Sequence, residues 1–383
     1  MSRGIFGAAF VGLRSMAAAA AILLSACGRD EAAPLFHADG YPERLSDWRL
    51  LSVENGVLTL NKGVVPYDLA TPLFSDYALK LRTVTLPKDA PARYDSTEAF
   101  DFPVGAMISK TFYYPQATAE WTGAVAYGEE RPVEEGALAL NGLRLIETRL
   151  LVRRRSGWVA IPYVWNEAQS DAFLKRTGAI VPLALHRPDG REEPFNYLVP
   201  DQNQCAGCHA TDATTRALQP IGLKARHLNK PSTFAAGMNQ LDHWILSGLL
   251  QEPPSGTAAA PANASWTDET ASLDARARAY LDANCAHCHS NVGPADTSGL
   301  DLRPSVPLGP AYGSCKSPIA AGAGSGGRPY DIAPGQPERS IFVFRLETTK
   351  PGAMMPELGR SVAHEEGVAL IRDWIAAMEG ACG

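Results

Sequence analysis

The sequence predicts an α+β multidomain chain: a β-rich N-terminal domain followed by a mainly α-helical region. Three observations predict it. Strand-type alternation, as in Leu79-Lys80-Leu81-Arg82-Thr83-Val84-Thr85-Leu86, belongs to the part before residue 200. Helical periodicity is concentrated after residue 240. The pentapeptide Cys-x-x-Cys-His occurs twice in this second part, at Cys205-Ala206-Gly207-Cys208-His209 and at Cys285-Ala286-His287-Cys288-His289.

The elements follow in order. Arg3 and Arg14 precede a short apolar run from Met16 to Leu24, then Leu24-Ser25-Ala26-Cys27. This resembles a bacterial lipoprotein signal peptide at 1–26, with Cys27 as the lipidated first residue. The run is too short to cross a bilayer as a helix. Gly28 after the cysteine favours the outer membrane over the inner, so a periplasm-facing lipoprotein of the cell envelope is expected. Residues 27–40 read as a tether and 41–200 as the β-rich domain. Leu143 to Val152, the polar stretch Arg153-Arg154-Arg155-Ser156-Gly157 and Trp158 to Trp165 spell strand, turn and strand. The three arginines read as a solvated turn. Trp121, Trp158 and Trp165 read as core aromatics, and Glu167 to Arg176 as a short helix.

Residues 201–252 form a first motif segment, 253–266 a linker, and 267–383 a second motif domain. Gln240 to Leu250 reads as a helix, and Glu269 to Ala286 as another that ends inside the second motif. Residues 293–337, rich in Gly and Pro, should be irregular. A last helix is expected from Ser361 to Glu379, capped by Ser361 and striped by Val368, Ile371, Trp374, Ile375 and Met378. Without the leader, 33 basic side chains face 41 acidic ones, a formal charge of −8. Nucleic acid is therefore not an expected partner.

The two pentapeptides carry the chemistry. Cys-x-x-Cys-His is the attachment pattern of c-type haem. Two thiols add across the vinyl groups of one porphyrin, and the adjacent imidazole reaches the iron. Two c-type haems are expected, on Cys205 and Cys208 and on Cys285 and Cys288, with His209 and His289 as proximal ligands. A zinc site built from two Cys pairs usually spaces them by about 15–20 residues. Here 76 residues separate Cys208 from Cys285. A thioredoxin-type motif needs a βαβ setting, and neither rival explains a histidine after both pairs.

In small cytochrome c domains a helix delivers the motif, a later methionine supplies the sixth ligand, and a terminal helix closes the domain. The second site resembles that order, with Met354-Met355-Pro356 between the motif and the last helix. Met355 is the expected distal ligand and Met354 the runner-up. For the first haem Met238, 29 residues after His209, leads; His227, His243 and an open position remain alternatives. His287, inside the second motif, is expected at the surface near a haem edge. Cys315 and Cys382 are left over; an oxidising compartment would let them pair, and otherwise they stay free thiols.

The chain also resembles bacterial dihaem c-type cytochrome lipoproteins of unassigned role. The fragments that carry the resemblance are Thr71-Pro72-Leu73-Phe74-Ser75-Asp76-Tyr77, Glu147-Thr148-Arg149-Leu150-Leu151, Tyr163-Val164-Trp165-Asn166-Glu167, Asn239-Gln240-Leu241 and Met355-Pro356-Glu357-Leu358. The resemblance implies a β-rich domain joined to a helical haem region, and it supplies no substrate. The expected role is electron relay between periplasmic or membrane redox proteins, with no catalytic residue assigned. The alternative is a dihaem enzyme, peroxidase-like or dehydrogenase-associated, with the first haem as its centre.

Overall fold

The computed structural model describes residues 33–129, 131–319 and 321–382. The expected signal peptide, 1–26, and the expected lipidation site Cys27 lie outside the described residues.

Alternating apolar residues build a six-stranded sheet at the centre. Its strands are β3 (Val65–Pro66), β4 (Leu79–Thr85), β5 (Met107–Pro115), β8 (Leu143–Arg154), β9 (Gly157–Trp165) and β10 (Ala172–Leu174), in the spatial order β10-β9-β8-β5-β4-β3. Every neighbouring pair is antiparallel. The β8–β9 hairpin pairs Arg154 with Gly157, so Arg155 and Ser156 alone make the turn. One smaller sheet joins β1 (Leu51–Glu54), β2 (Val57–Leu60) and β7 (Ala137–Ala139). The other joins β6 (Ala124–Ala126), β11 (Ala179–His186) and β12 (Glu192–Val199).

Side chains of a strand alternate between faces, and β5 shows what each face meets. Met107 and Tyr113 enter one core with Trp48, Leu58 and Leu138 of the first small sheet and its approach. On the opposite face, Phe112 and Tyr114 meet Leu185 and Tyr197 of the second small sheet. Further along that face, Ile108 meets Leu223, Leu241 and Trp244, from the segment after the first motif. The sheet is thus the wall against which the first motif packs.

The expected mainly α-helical second half is corrected. Among the described residues three β-sheets form the frame, and only about 20% is helix, counting six α-helices together with six short 3-10 segments. The α-helices are α1 (Gln204–His209), α2 (Ala225–Leu228), α3 (Gln240–Leu246), α4 (Leu273–Asn284), α5 (Ile341–Glu347) and α6 (Glu365–Ala376). Glycine and side-chain hydrogen bonds cut them short. The helix expected to reach Leu250 ends at Leu246, and Gly248 turns the chain with φ 70°. Ser272 caps α4 by accepting from the Ala275 amide, so the helix starts four residues later than expected. It stops at Asn284, which makes Cys285 its C-cap. Ser361 does not cap α6, because its hydroxyl donates to the Asn196 carbonyl and its amide to Asp76. The helix expected from Glu167 to Arg176 is instead a turn held by Asn166, followed by β10.

A fourth core unites α4, α5 and α6 through Tyr280, Leu281, Val343, Ile371 and Trp374. The loop Thr71–Tyr77 ties this core to the sheets. Its Phe74 amide donates to Asn284, its Tyr77 hydroxyl donates to Glu366, and Phe74 stacks on His364.

Candidate functional site: two Cys-x-x-Cys-His motifs in contact

The first motif forms α1, entered through mutual hydrogen bonds between Asp201 and Gln204. Cys205 is buried among Phe100, Phe102, Trp158 and Trp244. The His209 Nδ1 lies 2.7 Å from the Gln219 carbonyl, so Nδ1 carries the proton and Nε2 keeps its lone pair. The second motif follows α4 directly. The His289 Nδ1 lies 3.0 Å from the Ser298 hydroxyl, whose own proton goes to the Ala295 carbonyl at 2.6 Å. His289 must therefore donate from Nδ1, which again leaves Nε2 with its lone pair free. Burial pushes both imidazoles down, His209 to about 3 and His289 to about 4. Both histidines are thus neutral, the state in which imidazole ligates a metal.

The fold brings the two motifs together. The Cys288 thiol meets the Gly207 carbonyl at 3.6 Å, and the Ala213 amide donates to the Val292 carbonyl at 2.7 Å. A buried ion pair locks the segments behind them. Arg226 of α2 donates from Nε and Nη2 to Asp282 of α4 at 2.7 and 2.9 Å, and Asn263 adds a third bond at 2.8 Å. Leu358 packs at Gly207, where a Cβ would stand 3.1 Å from its methyl. The Met-Pro loop therefore touches the first motif. It also adjoins the second: the Met355 amide donates to the Arg345 carbonyl, and the charges of Arg345 and Glu357 bear on His289 and Cys288.

The other expected residues fall as follows. Met238 is half-buried on the loop closed by the Pro231–Asn239 bridge. His227 is buried, with Nε2 3.3 Å from Asp282, and is part of the ion-pair cluster rather than a polar loop. His243 sits half-buried on α3. Trp158 and Trp165 are buried, while Trp121 is half-buried under the Arg144 guanidinium. Cys315 and Cys382 form a disulfide with Cα atoms 5.2 Å apart.

Between the motifs and the sheet lies a cavity of about 550 Å³. The loop after the first motif and Ala286, His287 and Ser290 of the second line it, facing Phe102, Lys110 and Trp158. His287 is half-buried rather than at the surface as expected: its ring lines this cavity, and its enclosed Nδ1 has no partner among the described residues. The sequence reading also missed a row of cations on the sheet. Arg82, Lys110 and Arg149 stand directly opposite one another on β4, β5 and β8. Arg149 is neutralised by both oxygens of Glu147, which also accepts from Tyr197. Burial, then Arg82 and Arg149, push the Lys110 ammonium down to about 7. The signal was a lysine inside the otherwise uncharged strand Met107–Pro115.

The donor set fits a c-type haem. Burial raises all four motif thiols, Cys205 to about 11 and Cys285 and Cys288 to about 12, unlike the lowered thiolates of redox Cys pairs. Among the described residues no three or more His, Cys, Asp or Glu side chains gather to hold a metal ion. A porphyrin supplies four nitrogens of its own and asks the chain for only one or two axial ligands. No family model, no curated protein and no solved structure matches this chain.

Proposed function

We propose that this chain is a dihaem c-type cytochrome that relays single electrons between redox partners, tethered to the cell envelope through Cys27. One observation carries the reading. Two complete attachment motifs, 76 residues apart in the chain, touch, and each holds its histidine in the ligand tautomer.

The residues divide the work. Cys205 and Cys208, and Cys285 and Cys288, supply the covalent bonds. His209 and His289 present Nε2, and the Gln219 carbonyl and Ser298 hydroxyl fix their rings. Such partners raise the basicity of the ligating nitrogen and lock its direction. Met355 is the proposed distal ligand beside the second motif, and Met238 that of the first. When bound, each haem supplies one-electron Fe(III)/Fe(II) chemistry. Contact between the motifs makes whatever they carry neighbours, which is what a relay needs.

Haem counting tests this. Protein matured in a host that attaches c-type haem should carry two covalent haems per chain. Replacing Cys205 and Cys208 with Ala should remove one, and replacing Cys285 and Cys288 the other. A chain that holds no covalent haem under those conditions is not a cytochrome c. Met355→Ala should abolish a methionine-to-iron charge-transfer band and lower one midpoint potential; an unchanged band excludes Met355.

A further inference from the structure

The cavity between the motifs and the sheet carries positive charge that its own carboxylates do not answer. Those carboxylates are already taken, two of them by Arg226 and Lys224, which also line the cavity. Asp282 is held by Arg226, Glu98 by Lys224 and Asp101 by Arg93. Asp212 accepts from the amides of Thr214 and Thr215. Lys110 and Arg153 also line the cavity, and among the described residues neither has an ion pair or a side-chain hydrogen bond. Like charges directly opposite across a sheet are destabilising. Lys110 nonetheless sits directly opposite Arg82, with Arg149, already paired to Glu147, on its other side. On the opposite wall the enclosed Nδ1 of His287 has no hydrogen-bond partner among the described residues. Phe100, Phe102 and Trp158 give the cavity an apolar flank. Its volume falls in the usual range of small-ligand sites, roughly 300–1,000 Å³.

We propose that this cavity binds a carboxylate, with Lys110 as the seat of its charge and His287 facing it from the second motif. Carboxylate rather than bare phosphate matches an apolar flank beside a few cations. Two sources share that chemistry. One is a propionate of a haem carried by either motif, and that arm rests on the dihaem reading. The other is a free small acid, and that arm does not.

The experiment compares wild-type protein with Lys110→Met and Lys110→Arg. Haem per chain is counted first, then calorimetric binding of succinate and benzoate, then the midpoint potentials. A free-acid site binds one of the two probes. Lys110→Met then weakens it roughly 10- to 100-fold, the range for losing one hydrogen bond to a charged group, and Lys110→Arg retains it. A propionate site takes neither probe. Lys110→Met then lowers one midpoint potential, because removing a nearby cation favours Fe(III), and leaves the other unmoved. Should Lys110→Met not fold, His287→Phe reads the same two quantities from the other wall. A folded variant that changes neither probe binding nor either potential overturns the proposal. Absence of covalent haem overturns the dihaem reading instead and leaves the free-acid arm to be decided by the probes.

Discussion

The two motifs are identical in pattern and differ in how the fold holds them. The first is a six-residue helix pressed against a β-sheet, with Cys205 in a core that includes Phe102 and Trp158. Its surroundings are a cation and two ion pairs: Lys110, Arg149 with Glu147, and Arg226 with Asp282. The second follows a 12-residue helix packed on α6, beside a Met-Pro loop, and its domain is closed by a disulfide. One motif is set by long-range strand pairing and charge, the other by helices and a covalent staple. Identical local chemistry therefore does not imply equivalent sites. Substitutions that remove one kind of support should separate them.

The largest separation is expected at Asp282. Its carboxylate is buried, which alone would raise its pKa. The Arg226 bonds and the charges of His227 and Arg226 outweigh that and hold it below the usual range. Asp282→Ala would leave Arg226 buried without its partner, which costs about 3–5 kcal/mol. Because Arg226 follows the first motif and Asp282 precedes the second, the loss should loosen the contact between them. Urea unfolding checks the cost, and hydrogen exchange at the Ala213 amide checks the contact. The wild-type pair also has a pH signature. A depressed folded-state pKa gives stability above the unfolded value of about 3.9, lost as pH falls through the lower folded value. Asp282→Asn should flatten that acid limb.

Breaking the staple should act on the second region alone. Cys315 and Cys382 close a loop with a sequence separation of 67, for which chain entropy sets a ceiling of about 4 kcal/mol. Replacing both with Ala should cost about 2–4 kcal/mol in the unfolding of the C-terminal part. The Gln219 amide, which donates to the His209 carbonyl at 2.8 Å on the sheet side, should keep its exchange protection. Equal loss of protection in both regions would mean they unfold as one unit, and the comparison would fail.

Legibility followed the same division. The β8–β9 hairpin was readable because its alternation and turn are local. The motifs were readable because each is a contiguous five-residue pattern. Their contact was not, since it depends on how 76 intervening residues fold back. The cation row was hidden for a related reason. Arg82, Lys110 and Arg149 each look like an ordinary strand residue, and only cross-strand register makes them neighbours. The helical half was overestimated because apolar spacing marks a helical face but not its ends. Gly248, Ser272 and the hydrogen bonds of Ser361 set those ends.

The smallest expected effect lies where the sheets meet the second region. Asp76 sits in the loop Thr71–Tyr77, and its Oδ1 accepts from the Ser361 amide at 2.6 Å and the Val362 amide at 2.9 Å. Burial pushes its pKa up to about 6 even so, against those two bonds and the charges of Arg360 and Lys80. A raised carboxyl pKa means the ionised form is the costly one in the fold. Stability from this group is present below the unfolded value of about 3.9 and is lost as pH rises from there through about 6. Asparagine keeps the Oδ1 acceptor, carries no charge and tolerates the left-handed backbone at this position, φ 50°. Asp76→Asn should therefore stabilise the protein at pH 7.5 by about 1–3 kcal/mol, and the gain should shrink towards zero near pH 4. Paired urea titrations at the two pH values measure it. A loss that is the same at both would mean Asp76 acts there through shape rather than charge. The seam between sheet and helices would then be as pH-independent as the disulfide.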